Sequence, residues 1–150
     1  MILLLNRMNL TSFTSMIDDL STPVLKMKVL IVDDSENIRA SLNKIFSSNY
    51  SEVVINEAGT ISDTLFILKN DLPDIIILDI KLPDGSGIDI LKYVRLNDLT
   101  CVVIMFTNYT GRQYREICKD EGADYFFDKT TEFDKVLTIF EKLHSLKKDK

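Results

Sequence analysis

Five blocks of consecutive apolar residues punctuate the chain, at positions 29–32, 53–55, 75–78, 102–106 and 125–127. Between and after them the apolar positions fall at helical spacing. Ile38, Leu42, Ile45 and Phe46 follow the first block, Ile61, Leu65 and Leu68 the second, and Ile88, Leu91 and Val94 the third. Tyr114, Ile117 and Cys118 follow the fourth. Phe133, Val136, Leu137, Phe140 and Leu143 form the last and clearest stripe. The blocks are apolar at every position rather than at alternate ones, so they predict strands buried on both faces, as in a parallel sheet covered by helices.

The pattern amounts to five β/α units, hence an α/β fold with five strands and five helices. A closed barrel of such units needs eight of them and about 250 residues. The expected architecture is therefore an open, doubly wound parallel sheet of order 2-1-3-4-5. Thr60 with Asp63, Ser86 with Asp89, Thr110 with Gln113 and Thr131 with Asp134 have capping-box spacing and predict four helix starts.

Residues 1–26 precede the first unit, 27–146 hold all five, and 147–150 form a short basic tail. Leu10, Phe13, Ile17 and Leu20 have helical spacing, and Pro23 would end a helix there. The extension reads either as a frayed terminus or as a docked or partner-binding helix. The tail, Lys147-Lys148-Asp149-Lys150, reads as cations at a helix C-terminus or as a small contact patch.

Composition narrows the function. Of 150 residues, 18 are Lys or Arg and 23 Asp or Glu, giving a net charge of −5. Nucleic-acid binders carry a basic excess, so direct nucleic-acid binding is not expected. The two cysteines, Cys101 and Cys118, form no disulfide framework, and His144 is the single histidine. A multi-histidine metal site within the chain is excluded. No apolar run approaches the length of a membrane helix, and the start, MILLLNRMNL, lacks the basic flank of a signal sequence. A cytoplasmic protein without membrane contact is expected.

The chemistry collects where the strands end. Strand 1 runs into Asp33 and Asp34, strand 3 into Asp79, strand 4 into Thr107, and strand 5 is followed by Lys129. In the 2-1-3-4-5 order, strands 1 and 3 flank the point where the winding reverses, and ligands bind there. Three carboxylates at one edge repel one another by several kcal/mol and call for a cation. Few ligands, all oxygen, suit Mg²⁺. A carboxylate beside such an ion is equipped to form an acyl phosphate. Asp79 is the candidate nucleophile, Asp33 and Asp34 hold the ion with it, Lys129 pairs with a phosphoryl oxygen, and Thr107 donates its hydroxyl to another.

The segments KVLIVDDS (28–35), PDIIILDIKLPDGSG (73–87), VVIMFTN (102–108) and GADYFFDK (122–129) resemble the receiver domain of bacterial two-component response regulators, over about residues 27–146. The resemblance implies a flavodoxin-like receiver fold with Asp79 as phosphoacceptor. It implies Mg²⁺, replaceable by Mn²⁺, on Asp33, Asp34, Asp79 and the backbone carbonyl of Lys81. Thr107 and Phe126 become the switch pair, and Pro83 and Gly87 shape the adjacent loop. Lys81, Asn108 and Tyr109 stand where the lifetime of a phosphoform is tuned. Three positions depart from the family pattern: Asn108 replaces a small residue, Thr130 replaces a frequent Pro, and the 26-residue extension is additional.

The expected function is that of a stand-alone receiver in a phosphorelay. The donor is a sensor histidine kinase or a histidine phosphotransfer protein, and the output is a downstream protein that reads helix 4, strand 5 and helix 5. The chain is expected to promote only its own phosphorylation and dephosphorylation, as a monomer or a phosphorylation-dependent dimer. The alternatives are a pseudo-receiver that works without phosphorylation and, less favoured, a Mg²⁺-dependent aspartyl phosphatase. The phosphatases place their nucleophile after strand 1, with a second Asp two residues on; here the two aspartates are adjacent.

Overall fold

In the computed structural model, residues 10–18 and 24–150 are described. Five strands form one parallel sheet: β1 (Met27–Val32), β2 (Val53–Ala58), β3 (Ile75–Leu78), β4 (Val102–Thr107) and β5 (Tyr125–Asp128). Their spatial order is β2-β1-β3-β4-β5, the predicted one. The connecting helices are α1 (Glu36–Asn49), α2 (Ile61–Asn70), α3 (Gly87–Leu96), α4 (Arg112–Asp120) and α5 (Phe133–Lys148). A two-residue hairpin, Lys81–Leu82 with Gly85–Ser86, interrupts the passage from β3 to α3.

Period-two geometry explains the unbroken apolar runs. Leu30, Val32, Ile76, Leu78, Val103 and Met105 point to one face, where α2, α3 and α4 supply Leu68, Leu91 and Cys118. Val29, Ile31, Ile75, Ile77, Ile104 and Phe106 point to the other, where α1 and α5 supply Leu42, Phe46, Val136 and Phe140. Phe46 and Phe140 stack with ring centroids 4.2 Å apart, closing the α1–α5 contact. The edge strands β2 and β5 are only half-buried over most of their length, as an edge position requires.

Two of the four predicted helix starts hold. Thr60 caps α2 by accepting from the Asp63 N–H at 3.1 Å, and Ser86 caps α3 by accepting from Ile88. Each such cap contributes about 1 kcal/mol. Thr110 and Thr131 are not caps: α4 starts one residue later from Gly111, and α5 from Glu132, neither with a side-chain cap bond. At α5, the Glu132 carboxylate turns back to accept the Asp128 N–H at 2.9 Å and to pair with Lys135. Ser35, which the spacing rule passed over, caps α1.

An additional helix covers Leu10–Asp18, so the extension contains helix. Leu20 and Pro23 of the expected stripe lie outside the described residues. At the other end, α5 continues through Lys147 and Lys148. Lys147 pairs with Asp74 at 2.5 Å and Lys148 lies 3.6 Å from Glu52, so these cations fasten the helix to the sheet's amino-terminal side. No helix among the described residues is long and apolar enough to cross a membrane.

Candidate functional site

β1 and β3 are hydrogen-bonded neighbours with Val32 opposite Leu78, so the residues that follow them emerge side by side. Those residues are Asp33 and Asp79. Both are buried, at 2% and 6% exposure, whereas Asp34 faces solvent. One carboxylate oxygen from each of the three lies within 4.8 Å of the others. Backbone bonds hold the pair: the Asp79 N–H donates to the Val32 carbonyl at 2.9 Å and the Asp33 N–H to Ala58 at 3.1 Å.

Local contacts then fix each side chain. Asp33 Oδ1 accepts the Ser35 N–H at 2.9 Å, so the same serine orients the carboxylate through its backbone and caps α1 through its side chain. Arg39, one turn into α1, donates Nη1 to the Asp33 carbonyl at 2.7 Å and pairs through Nε with Glu57 on β2. Asp79 Oδ1 accepts the Ile80 N–H at 2.8 Å, leaving Oδ2 for other partners.

The loop after Asp79 is shaped by one glycine, Gly87, and one aspartate, Asp84. The Gly87 N–H donates to the Ile80 carbonyl at 2.6 Å. A Cβ at Gly87 would fall 1.9 Å from the Asp79 carbonyl oxygen, so only glycine permits this approach. Asp84 accepts the N–H groups of Ile61 and Ser62 at 2.7 and 3.1 Å, tying the loop to the start of α2. These bonds hold the Asp84 carboxyl below the usual carboxylate range. Neither Asp84 nor Arg39 was singled out from sequence. An Asp-Gly pair reads as a turn, and an Arg near a helix start reads as surface; no periodic signal shows the backbone groups each one meets.

Lys129 enters from the far side of the sheet. Its N–H donates to the Thr107 carbonyl at 3.1 Å, continuing the β4–β5 ladder and aiming the side chain across the edge. Nζ then reaches Asp33 Oδ2 at 2.5 Å and Asp79 Oδ2 at 2.8 Å, with the lysine side chain only 9% exposed. Burial alone would lower the lysine's pKa, but the hydrogen bonds to both carboxylates outweigh it and raise it. Burial pushes the Asp33 carboxyl up from its usual range, against the Lys129 and Ser35 hydrogen bonds.

Above these groups opens a cleft of about 490 Å³, lined by Asp34, Asp79, Lys81, Asn108, Tyr109 and Lys129 among others. Thr130 Oγ1 donates to Asn108 Oδ1 at 3.3 Å beside it. The peptide between Lys129 and Thr130 is trans. Tyr109 packs its ring edge-on against Tyr114 at 5.6 Å. Thr107 is fully buried, and its hydroxyl accepts the Tyr109 N–H at 3.2 Å. Thr107 and Phe126 do not line the cleft. Phe126, on β5, is half-buried against the core.

The cluster can do three things chemically. Three carboxylate oxygens converge with one of them on an exposed residue, the donor set a hard divalent cation takes. A buried carboxylate, Asp79, lines the cleft with its Oδ2 bonded only to the Lys129 ammonium among the described residues. A buried ammonium stands by to neutralise a second anion.

Comparison with known proteins agrees with this fold. The family model described as response regulator receiver domain matches residues 29–141. Sporulation initiation phosphotransferase F of Bacillus subtilis is 32% identical over 124 residues, which are 83% of this chain and 98% of that protein. The DNA-binding transcriptional activator DevR/DosR of Mycobacterium tuberculosis is 34% identical over 87 residues, 57% of this chain and 39% of that protein. The crystal structure of a CheY-like response regulator receiver domain protein from Methanospirillum hungatei superposes with a TM-score of 0.72. It is 27% identical, and the match covers 83% of this chain and 99% of that one.

Proposed function

The chain belongs to the response regulator receiver domain family, and from that premise we propose that it works in a phosphorelay, accepting a phosphoryl group on Asp79. One observation carries the reading most: Lys129 Nζ binds the carboxylates of Asp33 and Asp79 at once, beside an exposed third carboxylate, Asp34. A resident ammonium on a buried nucleophile is what a site for an incoming dianion needs.

The donor set fits Mg²⁺, and Mn²⁺ would substitute. Asp33, Asp34 and Asp79, with the backbone carbonyl of Lys81, would hold the ion. When bound, such an ion neutralises charge on the phosphoryl oxygens. The chain's own residues do the rest. Asp79 Oδ2 attacks phosphorus in line; the new O–P bond forms as the donor's N–P bond breaks, and the histidine nitrogen leaves with the bonding pair. Lys129 leaves Asp79 Oδ2 and pairs with a phosphoryl oxygen. Thr107 turns its hydroxyl from the Tyr109 N–H toward another, and Phe126 moves into the space this vacates. Its rearrangement changes the α4–β5–α5 face that a downstream protein reads. The donor is a sensor histidine kinase or a histidine phosphotransfer protein. No turnover of an outside substrate is part of this reading.

Intact-mass spectrometry tests it. Incubation with a small amido or acyl phosphate and Mg²⁺ should add one phosphoryl group, labile to hydroxylamine and absent from Asp79→Asn. Undiminished label on that variant would mean that the acceptor lies elsewhere.

A further inference from the structure

Arg115 is placed where the switch face and the Lys129 loop meet. It sits on α4, and its guanidinium carbon lies 4.6 Å from the centroid of the Phe126 ring. Its Nε donates to the Thr110 carbonyl at 3.2 Å, anchoring it to the loop that precedes its own helix. Nη2 lies 3.8 Å from Glu132 Oε2. That same oxygen accepts the N–H of Asp128, the residue before Lys129, at 2.9 Å. One side of Phe126 packs on the core and the guanidinium covers the other.

We propose that Arg115 is a latch on the resting arrangement, holding the half-buried Phe126 ring in place through its cation and tying that ring, through Glu132, to the loop that carries Lys129. The proposal rests on the reading that Phe126 moves inward when Asp79 is phosphorylated. The guanidinium is anchored by the Thr110 carbonyl and by Glu132, so it does not follow a ring that turns under the sheet edge. The inward state therefore forfeits the cation–ring contact. With the arginine side chain 43% exposed, such a contact weights an equilibrium about two- to fivefold. Coupling is reciprocal. A residue that favours the outward ring must weaken binding of a phosphoryl group or its mimic by the same factor.

Arg115 does not line the cleft and touches none of Asp33, Asp34 and Asp79, so it is a positioning residue, and the latch requires that its effect run through Phe126 rather than through Glu132 alone. The experiment compares the parent, Arg115→Gln and Arg115→Lys, each also in a Phe126→Leu background. The first readout is the ring position of Phe126 by aromatic NMR in the metal-free protein, scored by its proximity to the Thr107 methyl. The second is the affinity for beryllium fluoride in the presence of Mg²⁺. Arg115→Gln should raise the inward population and the affinity about two- to fivefold, and Arg115→Lys should fall between. With Leu at position 126 the arginine substitution should change neither the affinity nor its salt dependence.

An Arg115→Gln protein matching the parent in ring position would overturn the latch, as would an equal gain in affinity in the Phe126→Leu background. If the parent takes up no beryllium fluoride, the acceptor reading of Asp79 fails, while the ring populations of the metal-free proteins still decide for or against the latch.

Discussion

Lys129 and Asp79 stand fifty positions apart in sequence and meet at 2.8 Å between Nζ and Oδ2, their side chains 9% and 7% exposed. The lysine makes the same kind of contact with Asp33 at 2.5 Å. One ammonium thus compensates two carboxylates that would otherwise repel each other in a poorly solvated edge.

Removing that cation should expose the cost. Lys129→Met leaves two buried carboxylates facing each other, and losing one partner of a buried pair costs about 3–5 kcal/mol. The metal-free variant should melt well below the parent in chelator. Millimolar Mg²⁺ should raise the melting temperature of both, and of the variant more, because binding to the folded state stabilises by about 2.7 kcal/mol at one hundred times Kd. Asp34→Ala should erase most of the rise. Melting curves of the parent that ignore Mg²⁺ would sink the metal site.

The phosphoform should be long-lived. Lys81 and Tyr109 line the cleft beside Asp79, and neither carries a carboxylate or amide that could orient an attacking water. Tyr109 is held against Tyr114, and Asn108 is joined to Thr130, which crowds the approach. A tenfold change in rate needs only about 1.4 kcal/mol of barrier. Decay of the isolated phosphoprotein should accelerate about tenfold or more in a Lys81→Asn, Tyr109→Glu double variant; decay at the parent rate would refute the shielding argument.

Acid should weaken the protein through His144. It is buried at 6% exposure on α5, with its ring 4.7 Å from Tyr50 and 5.8 Å from Phe140. Burial, reinforced by Lys148 and opposed by Glu52, holds its pKa below the ordinary 6.5. The unfolded chain therefore takes up this proton first as pH falls. The stability His144 contributes is present above pH 6.5 and drains away as pH drops through the depressed folded value. Urea midpoints between pH 7.5 and about 5 should fall more steeply in the parent than in His144→Gln. Parallel slopes would exclude this histidine as the source.

Gly87 should tolerate no side chain. An added methyl would overlap the Asp79 carbonyl oxygen, a backbone atom with no free rotation to escape. Gly87→Ala should cost at least about 1–3 kcal/mol and should slow phosphoryl uptake as well, since the displaced atom belongs to the acceptor. A variant with parental stability and parental uptake would show that the loop yields without consequence.

The sequence alone determined the strands, their parallel pairing and the edge on which the chemistry lies. Those follow from period and from position. Apolar runs at 75–78 and 103–106 are buried on both faces, and a residue just past a strand end lies at that strand's carboxyl end. Asp33, Asp34, Asp79, Thr107 and Lys129 were legible for that reason.

What only the tertiary structure decided were particular pairings between one element or loop and another. Arg39 on the Asp33 carbonyl, Asp84 on the start of α2 and Arg115 over Phe126 each join segments whose separation carries no periodic signal. The starts of α4 and α5 were misplaced by one residue for a related reason: capping spacing is a local rule, and at α5 the Glu132 carboxylate spends its oxygens on Asp128 and Lys135 instead. Spacing fixes which face of an element a residue occupies, but which of several donors within reach it bonds is settled by competition in three dimensions, after the chain has packed.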